Sequence, residues 1–345
     1  MNEHIKEKTD KYPRTRFMGS KQKLLDFIYD NVKGLEAESV LDAFSGSGCV
    51  GYLFKTMGKQ VHTNDMLKSC YITSKATIEN KREKLSQQDI DLVINNKTNN
   101  DGFISRTFKG LYFNDKENKF LDQAYANIQL LNGSNKKAIA LAALSRACLK
   151  KRPRGIFTYT GMRYNDGRKD LKLSFTEHFI QSATIINNCV FDNGRDNKSF
   201  NKDIFSFTNN GYDLVYIDPP YYSKYSDNDY SRRYHFIEGL MTNWSHVKVN
   251  DNTKTKKIFK IRTPFDSLDT TYSAFDKLFE TFKRSIIIVS YSSNSLPNQE
   301  EMVQMMKKHK RKVEVAEFNH KYSSGTQNGR VIHSKVKEYL FIGKN

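Results

Sequence analysis

The chain of 345 residues holds no apolar run approaching the roughly 20 residues needed to cross a bilayer. Its opening segment, MNEHIKEKTDKYPRTR, carries neither the apolar core of a secretion signal nor a lipidation motif. A membrane span is therefore excluded and a cytoplasmic protein is expected. Its four cysteines, Cys49, Cys70, Cys148 and Cys189, lie far apart and form no C-x-x-C pair. That spacing argues against a disulfide framework and a thiolate zinc site, and leaves buried, reduced thiols. The eight histidines show no metal-ligand spacing, so no metal is expected. With no internal repeat of about 20–50 residues, solenoids and propellers drop out as well.

What the chain does have is positive charge. Its 56 Lys and Arg against 38 Asp and Glu give a net charge of +18, the balance of a protein that meets a polyanion. A Lys- and Asn-rich composition produces such a charge without function, so clustering and chemistry must be found beside it. At 38% hydrophobic and 12% aromatic, a chain this long buries a full core, as one large domain or one domain with a sizeable insertion.

Helical and strand-like runs alternate from the start. Leu24, Leu25, Phe27, Ile28 and Val32 recur at helical spacing in KQKLLDFIYDNVK, and the strand-like SVLDAF follows. A Gly-rich turn, a helix through CVGYLFKTMG and a strand in KQVHTND complete a βαβ opening, which predicts a mostly parallel sheet covered on both faces. Residues 82–119 are rich in Asn, Lys and Asp, KAIALAALSRACL reads as a buried helix, and RPRGIFTYTGMRYNDGRKD reads as exposed loop or hairpin. This block looks inserted. Alternation then resumes with the strand GYDLVYID, a helix through RYHFIEGLM, the strand RSIIIVSY and a helix in NQEEMVQMMKKHK. The last two runs, KVEVAEF and KEYLFIG, are expected to pair antiparallel at the sheet edge.

Directly after the first strand, Asp42 to Gly51 reads D-A-F-S-G-S-G-C-V-G, in which Gly46, Gly48 and Gly51 match G-x-G-x-x-G, and Asp65 closes the next strand. Glycines let a ligand approach the backbone and the acid suits ribose hydroxyls, so a nucleotide-type site is expected here. The turn leaves open whether the ligand is a dinucleotide or S-adenosylmethionine.

Asp218-Pro219-Pro220-Tyr221 follows the apolar strand Leu214 to Ile217, at the carboxyl end where open α/β sheets bind ligands. Two prolines fix φ and supply no N–H, so the turn is a rigid acceptor platform. Such a platform suits the exocyclic amine of adenine, whose lone pair is delocalised into the ring. Asp218 and the Pro219 carbonyl, accepting its two N–H groups, favour a tetrahedral nitrogen and stabilise the charge that develops as a methyl group arrives. Tyr221 offers a stacking face. Tyr222 reads as a second stacking surface or an ordinary surface aromatic.

Taken in order, Arg16-Phe-Met-Gly-Ser-Lys-Gln-Lys-Leu-Leu25, D-A-F-S-G-S-G and D-P-P-Y resemble the Dam-like, alpha-group DNA adenine N6-methyltransferases, over nearly the whole chain after about residue 14. The resemblance implies a Rossmann-like α/β methyltransferase fold with an antiparallel edge hairpin and an inserted target-recognition region. It also implies S-adenosylmethionine as cofactor and a flipped adenine as substrate. On matching positions, Phe17, Lys21 and Asp42 touch the cofactor, Phe44, Gly46 and Gly48 line its methionine end, and Asp65 takes the ribose hydroxyls. Asp218 sits between cofactor and base, and Asp203 and Ile204 contact the cofactor's adenine. One departure is Ser20, where relatives commonly carry a second glycine.

The implied organisation is a polar arm at 1–13, a catalytic domain from 14–81 and 191–345, and an inserted helical, basic DNA-recognition region at 82–190. Between Arg146 and Lys172 stand nine basic residues against two acids. Lys150, Lys151, Arg152, Arg154, Tyr159, Arg163 and Arg168 there, with Tyr225, Arg232 and Arg233 after the catalytic turn, are the expected DNA contacts. Tyr230, in the same polar loop, is a further candidate clamp on the substrate. The partner is double-stranded DNA, with a cognate restriction endonuclease as functional counterpart, and a monomer or weak dimer is expected. The competing readings are an RNA or other amine methyltransferase, a dinucleotide-dependent oxidoreductase and a non-catalytic basic DNA-binding module.

Overall fold

Short apolar strands, separated by helices with one apolar face, assemble in the computed structural model into one seven-stranded sheet. Residues 1–161, 165, 167–208, 211–222, 229–327 and 330–345 are described, without the side chains of 320–327 and 330–335. The chain runs through α1 (Glu3–Asp10), α2 (Leu25–Val32), β1 (Ser39–Asp42), α3 (Cys49–Thr56), β2 (Gln60–Asn64) and α4 (Lys68–Ser74). Five further helices follow: α5 (Gln87–Asn95), α6 (Phe103–Thr107), α7 (Asp115–Ile128), α8 (Ser134–Lys151) and α9 (Phe175–Cys189). Then come β3 (Lys198–Phe200), β4 (Leu214–Ile217), α10 (Tyr230–Arg233), α11 (His235–Leu240), α12 (Leu268–Thr281), β5 (Ile286–Ser292), α13 (Gln299–Lys307), β6 (Lys312–Gln327) and β7 (Arg330–Lys344).

Strand order is β3-β2-β1-β4-β5-β7-β6. The first five strands in that order pair parallel, with Val40 opposite both Val61 and Leu214. The last two runs do form an antiparallel hairpin, and β7 inserts antiparallel between β5 and β6, so β6 is the edge. Runs such as Leu214 to Ile217 are apolar at every position because the sheet is covered on both faces. Val40, Leu214, Tyr216 and Ile288 pack against α2 and α3. Leu41, Val215, Ile217 and Ile287 pack against α12 and α13. On α12, Phe275 and Phe279 are fully buried, each contributing about 1.5–3 kcal/mol.

The first thirteen residues, expected as a polar arm, contain a docked helix. Asn2 caps α1, the Thr9 hydroxyl meets the Thr56 hydroxyl at 3.1 Å, and Tyr12 is buried. The Asn-, Lys- and Asp-rich stretch is helical too. Capping boxes at Ser86/Asp89, Asn114/Glu117 and Ser174/Glu177 open α5, α7 and α9. Together with α4, α8 and α11 these helices enclose a separate apolar core. The described residues of 152–170 contain no strand, only short 3-10 turns. Among the described residues, no helix is long and apolar enough to cross a membrane, and no His, Cys, Asp and Glu group is arranged to hold a metal ion.

Candidate active site

At the carboxyl end of β1 the backbone must turn sharply, and Gly46 and Gly48 take it through φ values of 49° and 78°. A Cβ on Gly46 would lie 3.2 Å from the Phe17 ring, which stacks on Tyr234 with centroids 5.0 Å apart. Gly48 does not line the cleft as expected. It caps α3 from behind, where the Tyr12 hydroxyl, bonded to the Ser47 carbonyl at 2.7 Å, leaves no room for a side chain. Gly51 lets Asp42 accept its N–H at 3.0 Å. Ser20, in place of a glycine, needs no left-handed backbone: its φ is −55° and its hydroxyl meets that of Ser47 at 3.0 Å.

Asp65 pins this turn. One carboxylate oxygen accepts the Gly46 N–H and the other the Leu67 N–H, both at 2.8 Å. Burial pushes its pKa up to about 6 against those two bonds. Burial, together with nearby Asp218, pushes Asp42 up to about 8, and Asp42 Oδ1 has no hydrogen-bond partner among the described residues.

Strand β4 delivers Asp218 to the same place. Lys21, only 2% exposed, donates to Asp218 Oδ1 at 2.8 Å, to the Tyr221 hydroxyl at 2.6 Å and to the Gly19 carbonyl at 3.2 Å. Tyr221 donates to the same Oδ1 at 2.9 Å, a role beyond the stacking face expected of it. Burial raises the Asp218 pKa, although Lys21 and Tyr221 oppose it. Burial works against the Lys21 charge, but Asp218 and Glu338 outweigh it and hold the ammonium above its usual pKa. Behind the corner, the Tyr221 ring meets Tyr291 edge-on at 4.7 Å. The Tyr222 carbonyl accepts the Leu296 N–H at 3.1 Å, which makes Tyr222 an anchor of the turn.

Phe17, Lys21, Asp42, Phe44, Gly46, Asp65, Asp203, Ile204 and Asp218 to Tyr221 all line one cleft, with about 1130 Å³ of empty space counted out to its mouth. Asp203 is exposed and caps Phe205 at 3.0 Å. Tyr230 also lines the cleft. The sequence reading missed Ile261, Thr263 and Phe265, which close the far wall. Phe265 meets Phe44 edge-on at 5.6 Å and stacks on Phe205 at 6.2 Å. It also missed Glu238, whose carboxylate accepts the Lys68 and Ser69 N–H groups at 2.6 and 3.0 Å and so fixes the chain just beyond Asp65. The only sequence signal at the far wall, Thr263-Pro-Phe-Asp266, is that of a capped turn.

The expected basic DNA loop is corrected most sharply at Arg152, which is fully buried. Its guanidinium donates to the carbonyls of Gly161, Tyr159, Tyr112 and Ile156 at 2.7, 2.9, 3.3 and 3.4 Å, so no phosphate reaches it. Tyr159 stacks on that guanidinium at 4.7 Å and donates its hydroxyl to the Pro153 carbonyl. Lys150 is paired with Asp170 at 2.8 Å, and Lys151 with Glu117 at 3.0 Å and the Leu173 carbonyl at 2.5 Å. Arg168 donates to the Arg152 carbonyl at 3.2 Å. These cations hold the loop together because a Gly-punctuated segment leaves carbonyls that its own N–H groups do not satisfy. Arg154 is exposed, with φ of 56°. Arg232 pairs with Asp229, and the Arg233 carbonyl accepts the Phe157 N–H at 3.1 Å. Arg163 and Tyr225 lie outside the described residues.

A sheet in this order, with its ligand cleft between a glycine turn and an acceptor corner at adjacent strand ends, defines a Rossmann-like methyltransferase. The pattern of the D12 class N6 adenine-specific DNA methyltransferases matches residues 17–289, and the chain belongs to that family. It is 30% identical to the type II methyltransferase M2.HphI of Haemophilus parahaemolyticus, over 97% of this chain and 98% of that one. It is 28% identical to the modification methylase StsI of Streptococcus sanguinis over 85% of its length, and 27% identical to the type II methyltransferase M.FokI of Planomicrobium okeanokoites over 94%. The alignments cover 46% and 52% of those two longer proteins. The protein is thus an adenine-specific DNA methyltransferase, which displaces the oxidoreductase and non-catalytic readings.

Proposed function

We propose that the cleft binds S-adenosylmethionine beside a flipped adenine and that Asp218 directs methylation of its N6. The residues present fit such a cofactor. A side chain on Gly46 would crowd Phe17, Asp65 stands at the end of β2, and Asp42 Oδ1 is buried without a partner among the described residues. Asp65 has lone pairs left for ribose hydroxyls. Phe44, expected at the methionine end, meets Phe265 edge-on and would enclose the cofactor's adenine ring with Ile204 and Phe265. The glycine turn would hold the methionine part, since the three N–H donors of Lys21 are taken by Asp218, Tyr221 and Gly19. When bound, the cofactor supplies an electrophilic methyl group on sulfur.

The chain's own contribution is acceptor geometry. Lys21 and Tyr221 both occupy Asp218 Oδ1, so Oδ2 and the Pro219 carbonyl are the acceptors for the two N6 hydrogens. As the N–C bond forms and the C–S bond breaks, Asp218 stabilises the positive charge on nitrogen, and the surplus proton leaves to solvent. The observation that carries this reading is the position of Asp218 in the same cleft as the Gly46 turn and Asp65.

Residues 82–190 form the target-recognition region, 14–81 and 191–345 the catalytic domain, and exposed Arg154 with Arg232 and Arg233 contacts the DNA backbone. The protein acts in the cytoplasm as a monomer or weak dimer, alongside a cognate restriction endonuclease. Incubation with labelled S-adenosylmethionine and duplex DNA, RNA or protein, followed by nucleoside analysis, is expected to place label on N6-methyladenine from duplex DNA. Label confined to RNA or protein would overturn the reading.

Asp65 gives a pH test. Its carboxylate is the form that accepts ribose hydroxyls, and in the free protein it protonates below about pH 6. The Asp65 contribution to cofactor affinity is therefore expected to be constant above about pH 7 and to weaken by about tenfold per unit well below pH 6, any further change near pH 8 belonging to Asp42. Calorimetric titration checks this, and Asp65→Asn is expected to bind weakly at every pH with that dependence removed.

A further inference from the structure

Residues 248–262, KVNDNTKTKKIFKIR, carry no motif and lie outside the inserted region, yet they form a paired finger that leads into the cleft. Val249 and Ile258 pair antiparallel, the Asn250 N–H donates to the Lys257 carbonyl at 2.7 Å, and the Phe259 N–H donates to the Lys248 carbonyl at 3.3 Å. Ile258, 1% exposed, roots this finger in the core that holds Phe236 and Trp244. The Tyr112 hydroxyl, from the inserted region, donates to the Thr255 carbonyl at its tip. The finger is thus anchored at both ends.

Its outer side is basic and aromatic. Phe259, at 59%, is the most exposed large apolar side chain among the described residues. Lys256 pairs with Asp251 at 2.7 Å and Lys260 with Asp266 at 3.2 Å, while Lys254, Lys257 and Arg262 make no ion pair among the described residues. The return arm runs directly into the cleft, where Ile261 and Thr263 are wall residues and the Ile261 N–H donates to the Ser231 hydroxyl at 3.2 Å. Two residues of extended chain span at most about 7 Å. Phe259 therefore stands within about 7 Å of the cleft-wall residue Ile261, with uncompensated cations on either side. A solvated basic face accounts for the lysines but not for a water-exposed ring held two residues from the wall of a site that must extract a base from a stack.

We propose that this finger grips the DNA beside the target adenine. Lys254, Lys257 and Arg262 neutralise flanking phosphates, and Phe259 stacks against a base exposed when the adenine leaves the helix. The proposal rests on reading the cleft as the adenine-methylating site.

The test uses the full chain, unmethylated genomic duplex DNA and S-adenosylmethionine. Phe259→Ala is expected to lower kcat/KM for DNA by about 10- to 100-fold, with the KM for S-adenosylmethionine and the melting temperature unchanged, and Phe259→Trp to restore most of the loss. The triple variant Lys254→Ala/Lys257→Ala/Arg262→Ala is expected to reduce the slope of log binding constant against log salt by about 2–3. Unchanged salt slope and unchanged kcat/KM in an active background would overturn the finger alone. A wild-type chain that binds duplex DNA without methylating it would overturn the reading of the cleft, and the salt slopes would still decide the finger's contact.

Discussion

Asp218→Asn is expected to fold normally, bind cofactor with little change and transfer methyl groups about 100- to 1,000-fold more slowly. Lys21 and Tyr221 both direct hydrogens at Asp218 Oδ1, so the oxygen of an asparagine amide is required on that side. Its NH₂ then faces the adenine, presenting a donor where the amine needs an acceptor. Asp218→Ala tests something different. It removes the partner of a lysine that is 2% exposed and is expected to cost roughly 3 kcal/mol of stability, because the Gly19 carbonyl and Tyr221 hydroxyl satisfy Lys21 only in part. Single-turnover methylation at saturating cofactor, paired with thermal melting, separates the two effects. An Asp218→Asn enzyme with near wild-type turnover would remove the acceptor mechanism.

Those residues were legible in the sequence because each belongs to a local device. A strand, a turn and a special residue lie consecutively in Asp42 to Gly51 and in Leu214 to Tyr221, and a parallel sheet brings the carboxyl ends of its strands together. Phe265, Ile261 and Glu238 carry no such mark. Phe265 and Ile261 reach the cleft only because the segment before α12 packs across it, and Glu238 only holds the chain beyond Asp65 from α11; nothing in their immediate neighbours states that outcome. The polar stretch from 82 to 119 is harder to resolve into individual helices for another reason. Its average composition is that of a loop, yet Ser86/Asp89 and Asn114/Glu117 are helix-start pairs, and Ile90, Val93, Leu121 and Ala124 are buried from α5 and α7. Charge was the least legible feature, since a count of cations does not say which way each one points.

Arg152 shows what that direction is worth. A charge-based reading puts it on the DNA, whereas the structure surrounds its guanidinium with four carbonyls and sets it 5.2 and 4.7 Å from the Tyr112 and Tyr159 rings. Arg152→Ala would leave those carbonyls buried without donors and is expected to cost about 3–5 kcal/mol, lowering Tm on the order of 5–10 °C. Arg152→Lys is expected to recover only a minor part, because one ammonium cannot span the fork or stack between the rings. In whichever fraction remains folded, the salt dependence of DNA binding is expected to match wild type, since a side chain with no exposed surface releases no counterions. A variant with normal Tm and a salt slope reduced by about 1 would return Arg152 to the DNA interface. The expected pattern, a large loss of stability with an unchanged slope, makes it the residue that holds the loop carrying Arg154 in place.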